Sequence, residues 1–550
     1  MGSDRAATGP LRVGVVLESI SPARWIEHAL QLIADGAVAD LTTAIIVAPR
    51  MATPAADWAN ALYRLFVVAD RRVFRRQPDP LAVVDISRPL NGVAIISIGG
   101  EGGLPATARI ALEEAGLDVM LCFGSGEAGR NLAGLVRFGV WYFPDIVSDA
   151  GTGRPLWFDA TVAGRDVVTT SLNELTAAGT AGRMVYSAVS AVNRYSPHYT
   201  DRRLRWKMAT FPARALEKLA RTGADAHDNH GSDTGIRETS IPRNVRMLRI
   251  MARLGARQVA HAVRSALYRA EWSVAFRAEP DLAIATLTRP NGPGTYTFID
   301  NPPDRFWADP FPVQDGERHW LFVEEFPHAA DRAHLSVMPL HQDGTVGVST
   351  PVLTRPYHLS YPFVFRWRDD WYMVPETLEN RTVDLYRSTR FPYDWTHAGT
   401  LLEDVAAVDA TLIERDGRWW MFTTIAPFGG SENDELHIYL ADTPLGPWRP
   451  HPRNPQTSDA RGSRPAGRIF SLDGAWYRPA QDCSRRYGYA MTIHRIVTLT
   501  EDRYVEEVAG RIEPTWARGL LGTHTFNHVD GMTLVDGERW RPRFRPPVKR

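Results

Sequence analysis

The sequence predicts two folded parts, an α/β domain with a mostly parallel sheet followed by an all-β five-bladed β-propeller. Three observations support this prediction. Apolar strands and amphipathic helices alternate from Leu11 to Phe143, one strand-turn-strand phrase recurs five times from Trp307 to Trp540, and 550 residues exceed what one hydrophobic core holds. The predicted boundaries are 1–220 for the first domain, 221–268 for a linker and basic helix, and 269–550 for the propeller.

Bulk composition excludes several classes of protein. The chain has 63 basic and 63 acidic residues, so no gross charge favours a nucleic-acid partner. Cys122 and Cys483 fall in different predicted domains, which excludes a disulfide framework and fits a reducing compartment. Residues 1–10 lack an apolar signal core, and no apolar run reaches membrane-spanning length. We therefore expect a cytoplasmic protein.

The N-terminal domain is predicted as alternating strands and helices. Strands are expected at Leu11–Leu17, Thr42–Val47, Gly92–Ile98 and Asp118–Phe123, with helices at Pro22–Ala34, Ala55–Arg76 and Ala106–Ala115. This alternation is typical of a βαβ layered domain. Two arginine-rich helical stretches follow, at 202–221 and 244–268. A peripheral membrane contact is one expectation for them, and a solvated face or domain packing is the other.

Residues from Gly116 to Leu219 resemble the Rossmann-like formyltransferase fold of methionyl-tRNA and sugar-nucleotide formyltransferases. The resemblance lies in the runs Leu117-Asp118-Val119-Met120, Arg137-Phe138-Gly139-Val140-Trp141, Gly153-Arg154-Pro155 and Thr169-Thr170-Ser171-Leu172-Asn173. That family uses a histidine where this chain has Pro144 or Asp145. Without that imidazole no general base is evident, so the resemblance implies a domain that is inactive for formyl transfer.

The phrase repeated in the second half is an apolar strand, an Asp-Gly-type turn and an aromatic strand. The five turns are predicted at Asp315-Gly316, Asp369-Asp370, Asp416-Gly417, Asp473-Gly474 and Asp536-Gly537. Such turns between apolar runs are strong hairpin signals because both residues tolerate positive φ. Their spacing suits four-stranded propeller blades. A β-sandwich of five hairpins is the alternative. A strand at Glu271–Ala278 is expected to close the ring against residues 541–544.

Acidic residues recur at two positions of this repeat. The first position, at the start of each inner strand, holds Asp309, Tyr361, Asp409, Gly467 and Asp530. The second, at the end of the next strand, holds Glu324, Glu376, Thr424 and Asp482. Charges are poor choices for buried strand ends unless they converge on water or a ligand. Paired carboxyl groups in one cleft are what glycosidic-bond chemistry requires.

Two resemblances sharpen this interpretation. Trp307-Ala308-Asp309-Pro310 resembles the first-blade motif of five-bladed arabinanase, xylosidase and invertase-type glycosidases. This resemblance implies that Asp309 is the base or nucleophile, that Asp409 is a second essential carboxylate, and that Glu376 or Asp482 is the acid.

The region from 270 to 545 is more closely similar to the propeller-like N-terminal region of plant glucosamine inositolphosphorylceramide transferases and their bacterial relatives. The motifs are Arg464-Pro465-Ala466-Gly467-Arg468, Arg478-Pro479-Ala480-Gln481-Asp482-Cys483-Ser484, Tyr487-Gly488 and Gly522-Thr523-His524-Thr525-Phe526-Asn527. In the plant proteins sugar transfer is assigned to a separate C-terminal domain, which we do not expect here.

The leading hypothesis is a glycosyltransferase of glycolipid or polysaccharide assembly whose active site is the propeller funnel. Its predicted catalytic residues are Asp309, Asp409, Glu376 and Asp482. Its predicted substrate-binding residues are Trp307, Glu324, Arg464, Arg468, Arg478, His524 and Asn527, among which the arginines and His524 would grip a phosphate. Alternatively, Arg478 and Asp482 form a pair that locks a blade.

The predicted substrate is a carbohydrate or glycolipid, and the expected donor is a nucleotide sugar or a lipid-phosphate sugar. No cofactor or metal is predicted, although the carboxylates would suit Ca²⁺. The alternatives are a glycoside hydrolase that uses the same carboxylates, a silent sugar-binding scaffold, and a formyltransferase.

Overall fold

The computed structural model describes residues 9–47, 58–75, 78–98, 104–124, 129, 132, 134–149, 155–175, 181–223, 241–287 and 296–543. The chain divides into two compact units. The first comprises Met1–Gln258 with Pro427–Gly430, and the second comprises Val259–Ala426 with Ser431–Arg550. Most of the predicted linker, at 224–240, lies outside the described residues, and the predicted domain boundaries stay predictions.

The first unit contains a seven-stranded mixed sheet in the order β3-β2-β1-β4-β5-β6-β7. The first five strands of this order run parallel, and β6 and β7 are antiparallel to their neighbours. The sheet agrees with the predicted α/β class, whereas the Rossmann-like, formyltransferase-like assignment stays a prediction. The strands are β1 Leu11–Leu17, β2 Ala39–Val47, β3 Ala94–Ile98, β4 Val119–Cys122, β5 Val140–Tyr142, β6 Val167–Leu175 and β7 Ala181–Ala191.

Helices flank this sheet, and the first shows why they form. Helix Arg24–Ala34 buries Trp25, Ala29 and Ile33, whose spacing of four places them on one face. None of the described helices is both long and apolar enough to cross a membrane. The helices of the first unit are Arg24–Ala34, Ala61–Val73, Ala106–Ala115, Pro144–Asp149, Phe158–Ala163, Pro197–Ala209 and Phe211–Thr222. Helix Asn244–Leu267 continues past Gln258, where the first unit ends, and Ile284–Leu287 follows in the second unit.

The second unit is a five-bladed β-propeller, as predicted. Two of its strands, β8 (Tyr268–Ala278) and β9 (Thr297–Phe298), precede the first blade in sequence. Blade 1 is β10 Arg305–Asp315, β11 Arg318–Pro327, β12 His334–Leu340 and β13 Thr350–Leu353. Blade 2 is β14 Ser360–Trp367, β15 Asp370–Glu376, β16 Thr382–Arg390 and β17 Asp394–Glu403.

The remaining blades follow in chain order. Blade 3 is β18 Ala407–Arg415, β19 Arg418–Ile425, β20 Glu435–Ala441 and β21 Arg449–Pro450, with β22 Thr457–Ser458 beside β20. Blade 4 is β23 Phe470–Leu472, β24 Ala475–Asp482, β25 Ala490–Leu499 and β26 Tyr504–Ile512. Blade 5 combines β27 Leu520–Gly522, β28 Phe526–Val529 and β29 Met532–Pro542 with β8 and β9.

Strand β8 closes the ring, which confirms the prediction. It pairs with β29 from Ala278 opposite Met532 to Tyr268 opposite Pro542, a longer register than residues 541–544. The last blade therefore combines strands from both ends of the propeller sequence.

The fifth hairpin turn is Asp530-Gly531, so the prediction of Asp536-Gly537 is wrong. Both turn residues have positive φ, and Val529 pairs with Met532 across them. Two Asp-Gly pairs lie close together here, and the strand pairing selects the first. As a consequence Asp530 is in a turn, with 44% of its side chain exposed, rather than at a strand start. Asp536 lies inside β29 and is fully buried.

A bulge lies at the start of the inner strand in blades 1 to 3. Asp309, Tyr361 and Asp409 all have positive φ there, and the pairing register shifts at each of them. Left-handed backbone at a residue with a side chain is strained and is maintained only by surrounding contacts. Bulges of this kind redirect side chains, and here they turn three equivalent residues toward neighbouring blades.

Candidate active site

Carboxyl groups from four blades meet at the centre of the propeller. We call them the carboxyl cluster, and its members are Asp309 and Glu324 of blade 1, Glu376 of blade 2, Asp409 of blade 3 and Asp536 of blade 5. Blade 4 contributes the cation and amide that bind them, Arg464 and Gln481. All five blades therefore contribute to one polar centre. Of the residues in the predicted acidic pattern, Asp309, Glu324, Glu376 and Asp409 lie there.

Asp309 of blade 1 is held by groups from blades 2 and 5. Its Oδ2 accepts a hydrogen bond from the backbone N–H of Tyr361 at 3.0 Å, and its Oδ1 accepts one from the Thr525 hydroxyl at 2.7 Å. Its own N–H donates to Asp536 Oδ2 at 3.3 Å. The bulge at Asp309 directs its N–H and its carboxylate toward blades 2 and 5. The hydrogen bonds to those blades then hold the carboxylate in place.

Asp409 and Glu376 share one guanidinium group. Arg464 Nε donates to Asp409 Oδ2 at 2.6 Å, and its Nη2 donates to Glu376 Oε2 at 3.1 Å. Gln481 Nε2 adds a bond to Asp409 Oδ2 at 3.0 Å, and the third nitrogen of Arg464 donates to Asn433 Oδ1 at 3.0 Å. All three guanidinium nitrogens therefore bind the protein itself. The predicted role of Arg464 in gripping a substrate phosphate does not fit this geometry.

His524 lies between two members of the carboxyl cluster. Its Nδ1 is 2.7 Å from Asp536 Oδ2, and its Nε2 is 3.6 Å from Asp309 Oδ1. The imidazole stacks on Trp272, with ring centroids 3.8 Å apart. Burial would lower the pKa of His524, but Asp536 and Asp309 outweigh that effect and raise the pKa to about 8. The ring is therefore a cation at neutral pH.

Glu324 and Glu376 have pKa values raised well above the ordinary value for glutamate. Burial is the main cause for both, and repulsion from Asp309 and Asp409 adds to it, while Arg464 opposes it for Glu376. Burial also raises the pKa of Asp309, which His524 opposes. Two glutamates whose pKa values are raised by burial therefore lie beside carboxylates that are bound by cations.

The glutamates are the most accessible members of the carboxyl cluster. Their side chains are 12% exposed for Glu324 and 10% for Glu376, against 4% for Asp309 and 3% for Asp409. An approaching molecule would therefore meet the glutamates before the aspartates.

Tyr487 forms part of the rim above the carboxyl cluster. It is 43% exposed, the Arg464 guanidinium lies 4.8 Å from its ring centroid, and its ring meets His524 edge-on at 5.4 Å. An exposed aromatic ring beside paired carboxyl groups can stack on the apolar face of a sugar.

Tyr361 and Arg468 fill the space below the carboxyl cluster. The Tyr361 hydroxyl lies 2.7 Å from Thr411 Oγ1 and accepts a bond from the Gly467 N–H at 2.8 Å, which joins three blades. Arg468 donates to the Val364 carbonyl, and burial lowers the pKa of Arg468 to about 10. Arg468 therefore contributes to the floor of the site rather than to its rim.

Two predicted site residues of blade 4 lie in separate ion pairs. Asp482 pairs with Arg511 Nη1 at 2.5 Å and accepts a bond from the Ser484 N–H at 2.8 Å. Arg478 binds Glu506 with two hydrogen bonds, at 2.9 and 2.7 Å. Asp482 and Arg478 therefore lie in ion pairs apart from the carboxyl cluster, and the alternative prediction that they pair with each other is wrong. Arg478 and Asp482 both lie in β24, and each pairs with an oppositely charged residue of β26, two strands away in the same blade.

Trp307 and Asn527 are also structural. The Trp307 indole N–H donates to Glu325 Oε2 at 2.8 Å, and the residue is 5% exposed, so it cannot present a face to a sugar. The Asn527 amide donates to the Pro310 carbonyl at 2.8 Å and accepts from the Arg468 N–H at 2.9 Å. Asn527 therefore connects three blades.

One group of described residues has the composition of a metal site. Asp309, His524 and Asp536 offer ligand atoms within 4.8 Å of one another, and all three are buried. Each carboxylate already accepts hydrogen bonds from Thr525 or from backbone N–H groups. These residues could hold a cation.

Asp536, Gln481 and Tyr487 are missed by the reasoning from sequence. Asp536 accepts the backbone N–H groups of His524 and Thr525 at 2.9 and 3.0 Å. Asp536 was missed because the pair Asp536-Gly537 is typical of a hairpin turn. Gln481 lies in the motif that runs from Arg478 to Ser484, and Tyr487 lies in Tyr487-Gly488. Neither residue type by itself indicates a site of carboxyl groups.

Comparison with known proteins concerns the second unit. Residues 295–538 match the family model described as glucosamine inositolphosphorylceramide transferase 1, N-terminal. The propeller is similar to that N-terminal region. The transferase of Oryza sativa subsp. japonica is 35% identical over 266 residues, which is 47% of this chain and 34% of the rice protein. The Arabidopsis thaliana protein is 32% identical over 257 residues, which is 43% of this chain and 32% of that protein.

These matches confirm the resemblance predicted from the motifs of the second half. The chain spans about a third of the length of the curated relatives it matches. About two-thirds of each named relative therefore has no counterpart in the matched region.

Solved structures with similarity include two glycoside hydrolases. One is the catalytic domain of the GH62 α-L-arabinofuranosidase of Coprinopsis cinerea, with a TM-score of 0.32, 12% identity, and coverage of 42% of this chain and 90% of that chain. The other is the exo-β-1,3-galactanase 1,3Gal43A of Clostridium thermocellum, with a TM-score of 0.32, 13% identity, and coverage of 40% and 56%. Similarity of this degree carries no information on substrate.

Proposed function

We propose that this chain is a glycosyltransferase of glycolipid or polysaccharide assembly, with its active site at the carboxyl cluster. One observation carries the proposal: Glu324 and Glu376, whose pKa values are raised, lie on the open side of carboxylates bound by cations. A proton donor beside a fixed carboxylate is the arrangement that breaking or making a glycosidic bond requires. The rice and Arabidopsis relatives are named as transferases, which favours transfer over hydrolysis, and this chain matches their N-terminal region.

Each member of the carboxyl cluster has a proposed role. Glu376 protonates the leaving oxygen, because burial raises its pKa and its side chain stays 10% exposed. Asp309 is the base that receives the proton of the acceptor hydroxyl. The His524 cation 3.6 Å away favours its ionised form. Asp409, fixed by Arg464, stabilises positive charge that develops on the sugar ring.

The remaining residues prepare the site. Asp536 orients His524 and keeps it charged, and Tyr487 offers an exposed ring for the sugar to stack on. Glu324 is a second proton donor, 3.4 Å from His358 Nε2. The donor is proposed to be a nucleotide sugar or a lipid-phosphate sugar. A cytoplasmic location stays a prediction.

The test uses the purified full chain, radiolabelled UDP- and GDP-sugars, and vesicles that contain inositol phospholipid or ceramide-based acceptors. We expect label in the lipid extract, reduced at least about 100-fold by Glu376→Gln and by Asp309→Asn. Asp482→Asn, a buried carboxyl outside the carboxyl cluster, is the matched control and should retain activity if its melting temperature is unchanged.

Two results would overturn the transfer reaction. Release of free sugar from aryl glycosides without any sugar donor, abolished by the same variants, identifies a glycoside hydrolase. Saturable sugar binding that survives Asp309→Asn, with no turnover of any donor or glycoside, identifies a binding scaffold.

A further inference from the structure

Helix Asn244–Leu267 carries two apolar faces. One face is buried through Met247, Ile250 and Leu254, which pack in a cluster with Tyr63 and Phe158. The other face is exposed, and we call it the exposed stripe. Its members are Val245, Leu248, Ala252, Ala256, Val259, Val263 and Leu267.

The exposed stripe follows the helix period without interruption. Its members succeed one another at intervals of three or four residues, which places them on one side of an α-helix. The large members are Val245 at 66% exposed, Leu248 at 57%, Val259 at 63%, Val263 at 53% and Leu267 at 52%. Single exposed apolar residues are ordinary, whereas a continuous row of them marks an interaction surface.

Arginines line one flank of the exposed stripe. Arginine directly follows five of its seven members, and one step along an α-helix is about 100° around its axis. These arginines are Arg246, Arg249, Arg253, Arg257 and Arg264. All except Arg257, whose guanidinium donates to the Thr161 and Arg194 carbonyls, are exposed. The other flank carries no charge at Met251, Gly255, Gln258 and Ala262.

No acidic residue occurs between Thr239 and Ala270, although acidic and basic residues balance over the whole chain. A surface of this charge favours an anionic partner over a typical protein surface of mixed sign. Long arginine side chains beside an apolar row let a helix lie in a lipid interface, with its apolar face toward the acyl chains and guanidinium groups at the phosphates.

We propose that the exposed stripe and its arginine flank form a docking surface for an anionic lipid bilayer. The helix lies parallel to the membrane plane and binds without crossing it. This inference concerns binding alone, so it does not depend on the proposed transferase reaction.

The experiment is sedimentation of the full chain with vesicles of phosphatidylcholine, alone or with one-third phosphatidylglycerol. We expect binding to the anionic vesicles, weaker binding in higher salt because the arginines are exposed, and little binding to the neutral ones. The pair Arg249→Gln and Arg253→Gln should lower the partition coefficient roughly 30-fold. The pair Val259→Gln and Val263→Gln should lower it about tenfold or more.

The matched control is the pair Arg495→Gln and Val508→Gln on blade 4, which removes an exposed arginine and an exposed valine elsewhere. This control should bind like the wild-type chain. All variants change exposed residues, and equal melting temperatures verify their folding. The proposal is overturned if the chain binds both vesicle types equally or binds neither. It is also overturned if the helix variants bind anionic vesicles as well as the wild-type chain does. A wild-type dimer that the valine pair converts to a monomer, without vesicle binding, shows instead that a second copy occupies the stripe.

Discussion

The imidazole of His524 and the carboxylate of Asp536 form a buried ion pair, with Nδ1 2.7 Å from Oδ2. Asp536 also accepts the backbone N–H of His524 at 2.9 Å, so the same carboxylate binds both the ring and the chain that carries it. This relationship fixes the charge and the orientation of the imidazole whose Nε2 lies 3.6 Å from Asp309 Oδ1.

The first prediction concerns the pH dependence of stability. The pKa of His524 rises from 6.5 to about 8 on folding. Its contribution is therefore complete below pH 6.5 and is lost as pH rises through 8. We expect His524→Gln to be less stable than wild type at pH 6, and this difference to shrink by about 2 kcal/mol by pH 9. Denaturant titrations at both pH values measure it. A difference that does not change with pH contradicts the assignment of charge.

The second prediction separates stability from activity at Glu376. Its raised pKa means that ionisation opposes folding, so the carboxyl group favours the fold at low pH and destabilises it as pH rises. Glutamine mimics the protonated form. We expect Glu376→Gln to match wild type in melting temperature at pH 5 and to exceed it at pH 8, while transfer activity falls at least about 100-fold. The exposed Glu403→Gln serves as control, with neither effect.

The third prediction concerns Arg464, which binds Asp409 and Glu376 together. Removing this buried cation leaves the Asp409 carboxylate without its counter-charge. We expect Arg464→Met to reduce the free energy of unfolding by about 3 to 5 kcal/mol. Adding Asp409→Asn should restore part of that loss, because the two sites share the interaction. Denaturant unfolding of both single variants and the double variant gives the coupling, and strict additivity would show that the ion pair contributes nothing.

The fourth prediction concerns Tyr487, whose ring is 43% exposed. Because 43% of the residue is exposed, Tyr487→Ala should change the free energy of unfolding by less than about 2 kcal/mol. If the ring stacks on the sugar, the same variant raises KM about tenfold, and Tyr487→Phe keeps the wild-type value. A change in kcat with constant KM would instead mean that Tyr487 acts through Arg464 or His524.

The repeated strand-turn-strand phrase was sufficient to predict the propeller, because turn chemistry and apolar alternation are local properties. The same repeat located Asp309, Glu324, Glu376 and Asp409, since equivalent positions of successive blades face one centre. It failed at Asp536 because two Asp-Gly pairs compete, and only pairing of Met532 with Val529 distinguishes them.

The partners of the charged groups could not be predicted from sequence. Arg478 meets Glu506, and Asp482 meets Arg511, across intervening strands of blade 4. A long guanidinium side chain reaches groups that are distant in sequence, so its partner depends on the register of three strands at once. Arg464 was predicted to bind a phosphate because the sequence does not show that its three guanidinium nitrogens reach partners within the protein.

The position of β8 in the last blade has a consequence for folding during synthesis. Synthesis delivers β8 before any blade and delivers β29, its neighbour in the sheet, after all the others. The propeller therefore cannot close on the ribosome until Met532 to Pro542 have emerged. Until then β8 presents an unpaired edge, which is prone to join other chains. A chain that stops before Met532 would lose far more than one strand, because the ring would have no means of closing.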